Sequence, residues 1–257
     1  MLVVISILGI LAALTVPALK NLGKSNAQIS ASRQLLDAVG RARQLAMANR
    51  TTVYMVFVPT NFWGALTGTN LNSHATTNLL DKQLNGYAFV SYGKLGDQPG
   101  QHAWHYIEPW QTLPNGSIIA AQKFLLSGSP LFPINIPQWS GTSITNFSRV
   151  SIPFPTETST NVPMPCITFD YSGRLISEVD ASGNYQDAYI PLAQGTVSYA
   201  LDPASKTPTI PATPLTANAV TEMPPGNSGI GNNNLSYNVI HIDALTGRAV
   251  LEFYKMQ

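Results

Sequence analysis

Hydrophobic positions follow three patterns along this chain. From Leu2 to Leu19 (LVVISILGILAALTVPAL) no residue is charged, and the only polar side chains are Ser6 and Thr15, whose hydroxyls can bond back to a helix carbonyl. A segment apolar on every side has no face to give to water. The pattern predicts a helix suited to lipid or to a bundle of helices, not to a domain surface. At about 1.5 Å per residue, Leu2–Val16 spans about 22 Å against the ~30 Å of a hydrocarbon core, so a full span is expected to draw on residues before Met1. From Ser25 to Arg50 the pattern changes. Ile29, Leu35, Leu36, Val39, Ala42, Leu45 and Ala46 recur every three or four residues, with Arg33, Asp37, Arg41 and Arg43 between them, which predicts an amphipathic helix. Pro17 cannot bond the Ala13 carbonyl and predicts a kink near residues 13–17. Gly23, Ser25 and Asn26 could end one helix and cap another, so one bent helix and two shorter ones both fit.

After Arg50 the period shortens. TTVYMVFV is β-branched, aromatic and continuously apolar, as in a central strand covered by the preceding helix. Further strands are predicted at Tyr87–Tyr92, Trp104–Ile107, Ser117–Ala121, Arg149–Pro153, Cys166–Asp170, Arg174–Val179, Ala188–Leu192, Thr196–Leu201, Tyr237–Asp243 and Ala249–Tyr254. Asp170–Gly173 and Asp243–Gly247 each join two such runs with a closing glycine, which predicts hairpins and an antiparallel sheet. Asn61–Asn85, Leu126–Asn146 and Pro203–Asn234 carry no strand or helix pattern. The last reads as a decorated surface loop or a partly disordered tract. The chain therefore divides into an apolar helix half (1–24) and a globular part (25–257), the latter an amphipathic helix half (25–50) and a β-rich head (51–257).

Composition narrows the function classes. Charged residues make up only 11% of the 257, and Thr, Asn, Ser, Gly and Pro are abundant, which suits an exported β-rich protein. The single cysteine, Cys166, excludes an internal disulfide framework and a cysteine-based zinc site; within CITFD it reads as a buried, inert thiol. The net charge of +1 conceals an asymmetry: residues 1–50 sum to +5, leaving −4 for the rest. A mildly acidic head argues against nucleic acid as a partner.

MLVVISILGILAALTVPALKN resembles the N-terminal segment of type IV pilins and type II secretion pseudopilins. ARQLAMANRTTVYMVF is similar to the helix end and first strand of GspH/FimT-type minor pseudopilins, and ITFDYSGRL and IDALTGRAVLE are similar to that family's strand–Gly–Arg–strand pattern. The middle insertions resemble no part of it. The resemblance implies an α+β, pilin-like fold: a long N-terminal helix packed on an antiparallel sheet with large loop insertions. It implies a non-catalytic subunit of a pilus or pseudopilus, trimmed and N-methylated by a prepilin peptidase. Such a subunit is a single-pass inner-membrane protein before assembly and part of a periplasmic or extracellular filament afterwards. Its partners would be other subunits, met through Val4, Ile7, Leu8, Gly9, Ile10, Leu11, Leu14 and Pro17. A helix apolar all round can exchange lipid for identical helices at little hydrophobic cost. The family's Phe-Thr-Leu-Ile-Glu signature and cleavage site would lie upstream of Met1, and the expectation is that Met1 is internal to a longer reading frame. Lys20 and Lys24 alone would favour a cytoplasmic C-terminal side; the family's opposite orientation relies on basic residues in its leader.

Other candidate chemistry is thinner. Val16-Pro-Ala18 resembles a signal-peptidase site but lacks a basic region before it. His102, His105 and Glu108 have helical ligand spacing, yet HAWHYIEPW suits a strand, where the two histidines face opposite ways. Asp180, Asn184 and Asp187 alternate as in calcium loops, without the later bidentate Glu; they are a weak calcium candidate, and no other cofactor or metal is expected. Gly226-Asn-Ser228-Gly229 lacks the strand–turn–helix context of a nucleophile elbow, and no residue is given a catalytic role. Trp63, Trp104, Trp110 and Trp139 could form a sugar- or partner-binding face, although packing is the commoner fate of Trp. The rival from another class is a signal-anchored surface binding protein, adhesin or lectin-like, that does not polymerise.

Overall fold

The computed structural model describes residues 27–66, 73–94, 96–97, 102–125, 134–135, 143–144, 146–179, 182–205, 209–210, 220–223 and 237–252. The expectations for Leu2–Leu19, the kink at Pro17, Gly226–Gly229, Trp139 and Asp180 lie outside them. The chain is a mixed α and β structure, with a helix preceding antiparallel sheets.

The first described element is a helix over residues 27–49, named α1. Of the predicted stripe, Leu35, Val39, Ala42 and Ala46 are buried, joined by Ala31 and Ala38; Leu36 and Leu45 are only partly buried against that core, and Ile29 is exposed. It stops at Arg50, which takes a left-handed φ of 49°, and the Thr51 amide closes back on the Ala46 carbonyl at 3.2 Å. The chain then enters β1 (Val53–Phe57) at once.

β1 is the centre of one sheet, ordered β3 (Trp104–Tyr106), β2 (Gly86–Tyr92), β1, β9 (Asn161–Phe169), β8 (Ser148–Pro153), with β4 (Gln111–Thr112) also on β2. All these pairings are antiparallel. Side chains alternate across a strand, and here both faces are covered. Val53, Met55 and Phe57 meet the α1 stripe; Val56 and Val58 meet a second cluster with Phe62, Trp63, Leu66, Leu79 and Leu80. That second cover comes from residues 61–66 and 73–85, which form short turns of helix at Phe62–Ala65, α2 (His74–Thr77) and Leu80–Lys82. A sequence dominated by Thr and Asn thus supplies a few large apolar anchors, and their burial fixes the described parts of it.

The other large sheet is ordered β11 (Val220–Met223), β10 (Ala188–Val197), β12 (Asn238–Ile242), β13 (Ala249–Glu252), with β5 (Ser117–Ile119) also on β10. Its Ile190, Leu192, Val239 and Ile240 belong to the same core cluster as α1 and the first sheet, so the helix stripe and both sheets share one interior. A two-residue pair, β6 (Ile134–Asn135) and β7 (Ser143–Ile144), stands apart.

Several strand boundaries differ from the expectation. β9 begins at Asn161 instead of Cys166, and contains Pro163 and Pro165. β1 pairs only with Cys166–Phe169, so the prolines occupy a stretch whose one strand partner among the described residues is β8, where a missing N–H on the open side costs no ladder bond. The runs at Ala188–Leu192 and Thr196–Leu201 join into β10, which ends at Val197. Gly195 permits this passage: a Cβ there would lie 2.5 Å from the Thr221 carbonyl oxygen and 2.7 Å from Ile118. Arg174–Val179 is not a continuous strand; it makes only the single bridges Phe169–Leu175 and Val179–Tyr185, with the buried Leu175 as its anchor. Residues 121–124 leave β5 as a helical turn, and β11 emerges from the tract read as loop.

Candidate functional site: the seam between α1 and the sheets

The exposed side of α1 meets the head through polar contacts that flank the apolar stripe. On one flank, Gln34 Nε2 donates to the Thr112 carbonyl at 2.8 Å and to the Tyr87 hydroxyl at 3.1 Å, and Tyr87 donates to Gln111 at 3.0 Å. Burial is the chief cause holding the Tyr87 phenol above its ordinary pKa. Arg41 Nε donates to Glu108 Oε1 at 2.6 Å, and its terminal nitrogen contacts the same oxygen. Between these contacts and the exposed Arg33 and Asp37 runs a groove of about 830 Å³, with Gly40 on its helix side.

On the other flank, Arg43 Nε donates to the Thr246 carbonyl at 2.7 Å and the Gly173 carbonyl at 3.3 Å. These carbonyls belong to the two turns expected from sequence. Each turn is built around an aspartate. Asp170 accepts from the Ser172 and Arg174 amides, both at 2.9 Å, and from Arg174 Nε at 3.0 Å. Burial raises the Asp170 carboxyl, but its hydrogen bonds from Ser172 and Arg174 outweigh that and leave it below the ordinary range. Asp243 accepts from the Thr246 amide and hydroxyl at 2.7 Å, which lowers its carboxyl likewise. Gly173 and Gly247 have φ of 83° and 62°, and the turns touch: a Cβ on Gly247 would lie 2.0 Å from the Gly173 oxygen.

Three further polar groups were not singled out from sequence. Lys123 is fully buried, with Nζ 3.6 Å from Glu178 and 4.9 Å from the centre of the Phe147 ring. Burial lowers its pKa against the opposing pull of Glu178. A lysine inside the apolar run AAQKFLL was the available signal. Glu222 accepts from the Ala121 amide at 2.9 Å and Tyr237 at 3.4 Å, and burial raises its carboxyl. His241 lies between Glu252 (2.8 Å) and Asp187 (2.9 Å), with Tyr189 stacked on its ring at 4.6 Å.

The structure disperses the other candidates. His105 lies near Asp97 and Glu157, His102 packs on Tyr92, and Glu108 holds Arg41, so the three do not converge. Asp187 gives one oxygen to His241 and the other to the Ala244 amide at 2.8 Å, an arrangement that fastens β10 to the β12–β13 turn. Asn184 is exposed on the preceding turn. Trp63 is buried in the second core, and Trp104 and Trp110 pack against it separately, Trp104 between Tyr54 and Tyr92 and Trp110 against Phe154 and Tyr106, so among the described residues the tryptophans form no face together. Cys166 is buried, which pushes its thiol up to about 12. Among the described residues, no group of three or more His, Cys, Asp or Glu is placed to hold a metal ion. Among them, too, no helix is long and apolar enough to cross a membrane. Val4, Ile7, Leu8, Gly9, Ile10, Leu11, Leu14 and Pro17 lie outside the described residues. No family model, curated protein or solved structure matches the chain.

Proposed function

We propose that this chain is a structural subunit of a type IV pilus or type II secretion pseudopilus, pilin-like in fold, whose Leu2–Leu19 segment anchors it in the inner membrane and then packs against like segments in a filament. The observation that carries the reading is the change of pattern on the two sides of Ser25. On the C-terminal side, α1 has one apolar stripe, and the head buries it. On the N-terminal side the sequence is apolar all round, and such a helix is stable only among lipids or other helices. The polar contacts of Gln34, Arg41 and Arg43 fix α1 to the head, so that whatever holds the apolar segment also holds the head. The chemistry of the subunit is assembly, and no residue in it acts on a substrate.

The test is fractionation and crosslinking of the full chain in a Gram-negative host. The chain is expected in the membrane pellet, resistant to carbonate and released by detergent. Leu8→Cys or Leu11→Cys is expected to give disulfide-linked multimers under mild oxidation, with little background because Cys166 is buried. Leu11→Arg is expected to abolish both membrane retention and multimers while the head stays folded. A freely soluble, monomeric full chain overturns the proposal. A membrane-bound chain that never crosslinks supports the signal-anchored binding protein instead.

A further inference from the structure

Beside β3 and the end of β8, Tyr106, Pro109, Trp110 and Pro155 wall a pocket of about 320 Å³, within the size range of small-ligand sites. Both rings are tethered by their polar tips. The Tyr106 hydroxyl donates to the Pro153 carbonyl at 2.7 Å, and Trp110 Nε1 donates to the Pro155 carbonyl at 3.1 Å. Their centroids are 5.9 Å apart with 51° between the planes, and Phe154 meets Trp110 edge-on at 5.5 Å. With the polar tips engaged, what the rings can still offer a ligand is their π surface.

Among the described residues, the charged groups lining the pocket are Glu108 and Glu157, with no basic side chain. Much of their accepting capacity is already used. Glu108 takes Arg41 on one oxygen and Gln111 Nε2 on the other at 2.7 Å, while Glu157 Oε1 takes the Tyr106 amide at 2.7 Å, with His105 at 4.0 Å. A sugar would need donors and free acceptors around its hydroxyls, and few are present. A cation without N–H groups needs neither; it needs aromatic faces, an apolar wall for its methyl groups and a negative potential.

We propose that this pocket binds a quaternary ammonium group, with Trp110 and Tyr106 supplying cation–π contact and Glu157 the countercharge. The proposal is independent of the filament reading.

The probe is choline, titrated into the full chain in maltoside micelles with its four tryptophans labelled at the indole nitrogen, the Trp110 signal being assigned with Trp110→Phe. The expected result is a saturable shift of that signal at choline concentrations on the order of millimolar. The neutral isostere 3,3-dimethylbutan-1-ol should bind about fivefold more weakly or worse. Glu157→Gln keeps an oxygen for the Tyr106 amide and should weaken choline by about fivefold while leaving the isostere unchanged; the other indole signals report that the fold is intact. Phosphocholine distinguishes the source: weaker binding than choline assigns a free ammonium solute, and tighter binding a lipid-type headgroup. No shift at Trp110, or equal binding of choline and its isostere, overturns the proposal.

Discussion

Arg43 in α1 donates to the carbonyl of Thr246, 203 residues further along the chain, at 2.7 Å. The same nitrogen reaches the Gly173 carbonyl, so one guanidinium ties the helix to two turns that touch each other. Arg43→Met keeps the aliphatic packing and removes the donor; it should cost about 1–2 kcal/mol, read from the denaturant midpoint of the head. Gly247→Ala should cost about 2 kcal/mol or more in the same assay, because it combines a positive φ with a Cβ 2.0 Å from the Gly173 oxygen.

Gly40 makes the opposite prediction. It lies inside α1, and a Cβ built there meets nothing within 4 Å. The fold does not need a glycine at this position, and helix propensity favours alanine. Gly40→Ala should raise stability by about 0.5–1 kcal/mol, visible as a higher melting temperature.

His241 predicts a pH dependence. Its partial burial lowers the imidazole pKa, but the hydrogen bonds and charges of Asp187 and Glu252 outweigh this and raise it above the ordinary value. The unfolded chain has an imidazole pKa of about 6.5. The contribution of the clamp is therefore fully present below about 6.5, while the two carboxylates stay ionised, and is lost as pH rises through the folded-state value. The stability difference between the native chain and His241→Gln should be larger at pH 5.5 than at pH 9, measured by denaturant unfolding. An equal difference at both pH values refutes the assignment.

Lys123 and Glu178 form a pair that tolerates joint removal better than single removal. Lys123→Met leaves the Glu178 carboxylate buried without its cation and should cost about 3 kcal/mol. Adding Glu178→Gln should recover much of that loss, and the double-mutant cycle from denaturant midpoints measures the coupling directly.

These sites also show how far the sequence carried. The α1 stripe and β1 were legible because an amphipathic period and an uninterrupted apolar strand have few alternative uses. The turns at Asp170–Gly173 and Asp243–Gly247 were legible because a left-handed closing residue selects glycine. What escaped was long-range. Phe62, Trp63, Leu79 and Leu80 are scattered through a polar segment, and only the back face of the first sheet makes them a core. Pro163 and Pro165 lie in the part of β9 that the expected strand at Cys166–Asp170 did not reach, and pairing with β8 carries the strand back to Asn161. No local pattern could mark Arg43 or His241 for their roles, because each acts on partners supplied by other parts of the chain; for Lys123 the run AAQKFLL signals burial but not the Glu178 partner.

The way α1 is fastened also fixes how the head bears load. Gln34, Arg41, Arg43 and the apolar stripe hold the helix along its length, and β1 begins directly after its last turn. A pull along the helix axis is therefore shared among all these attachments in shear, instead of opening them one at a time. The turns at Gly173 and Gly247 take up that force together through a single side chain, which gives the head the mechanics of a bolted bracket and not of a zip.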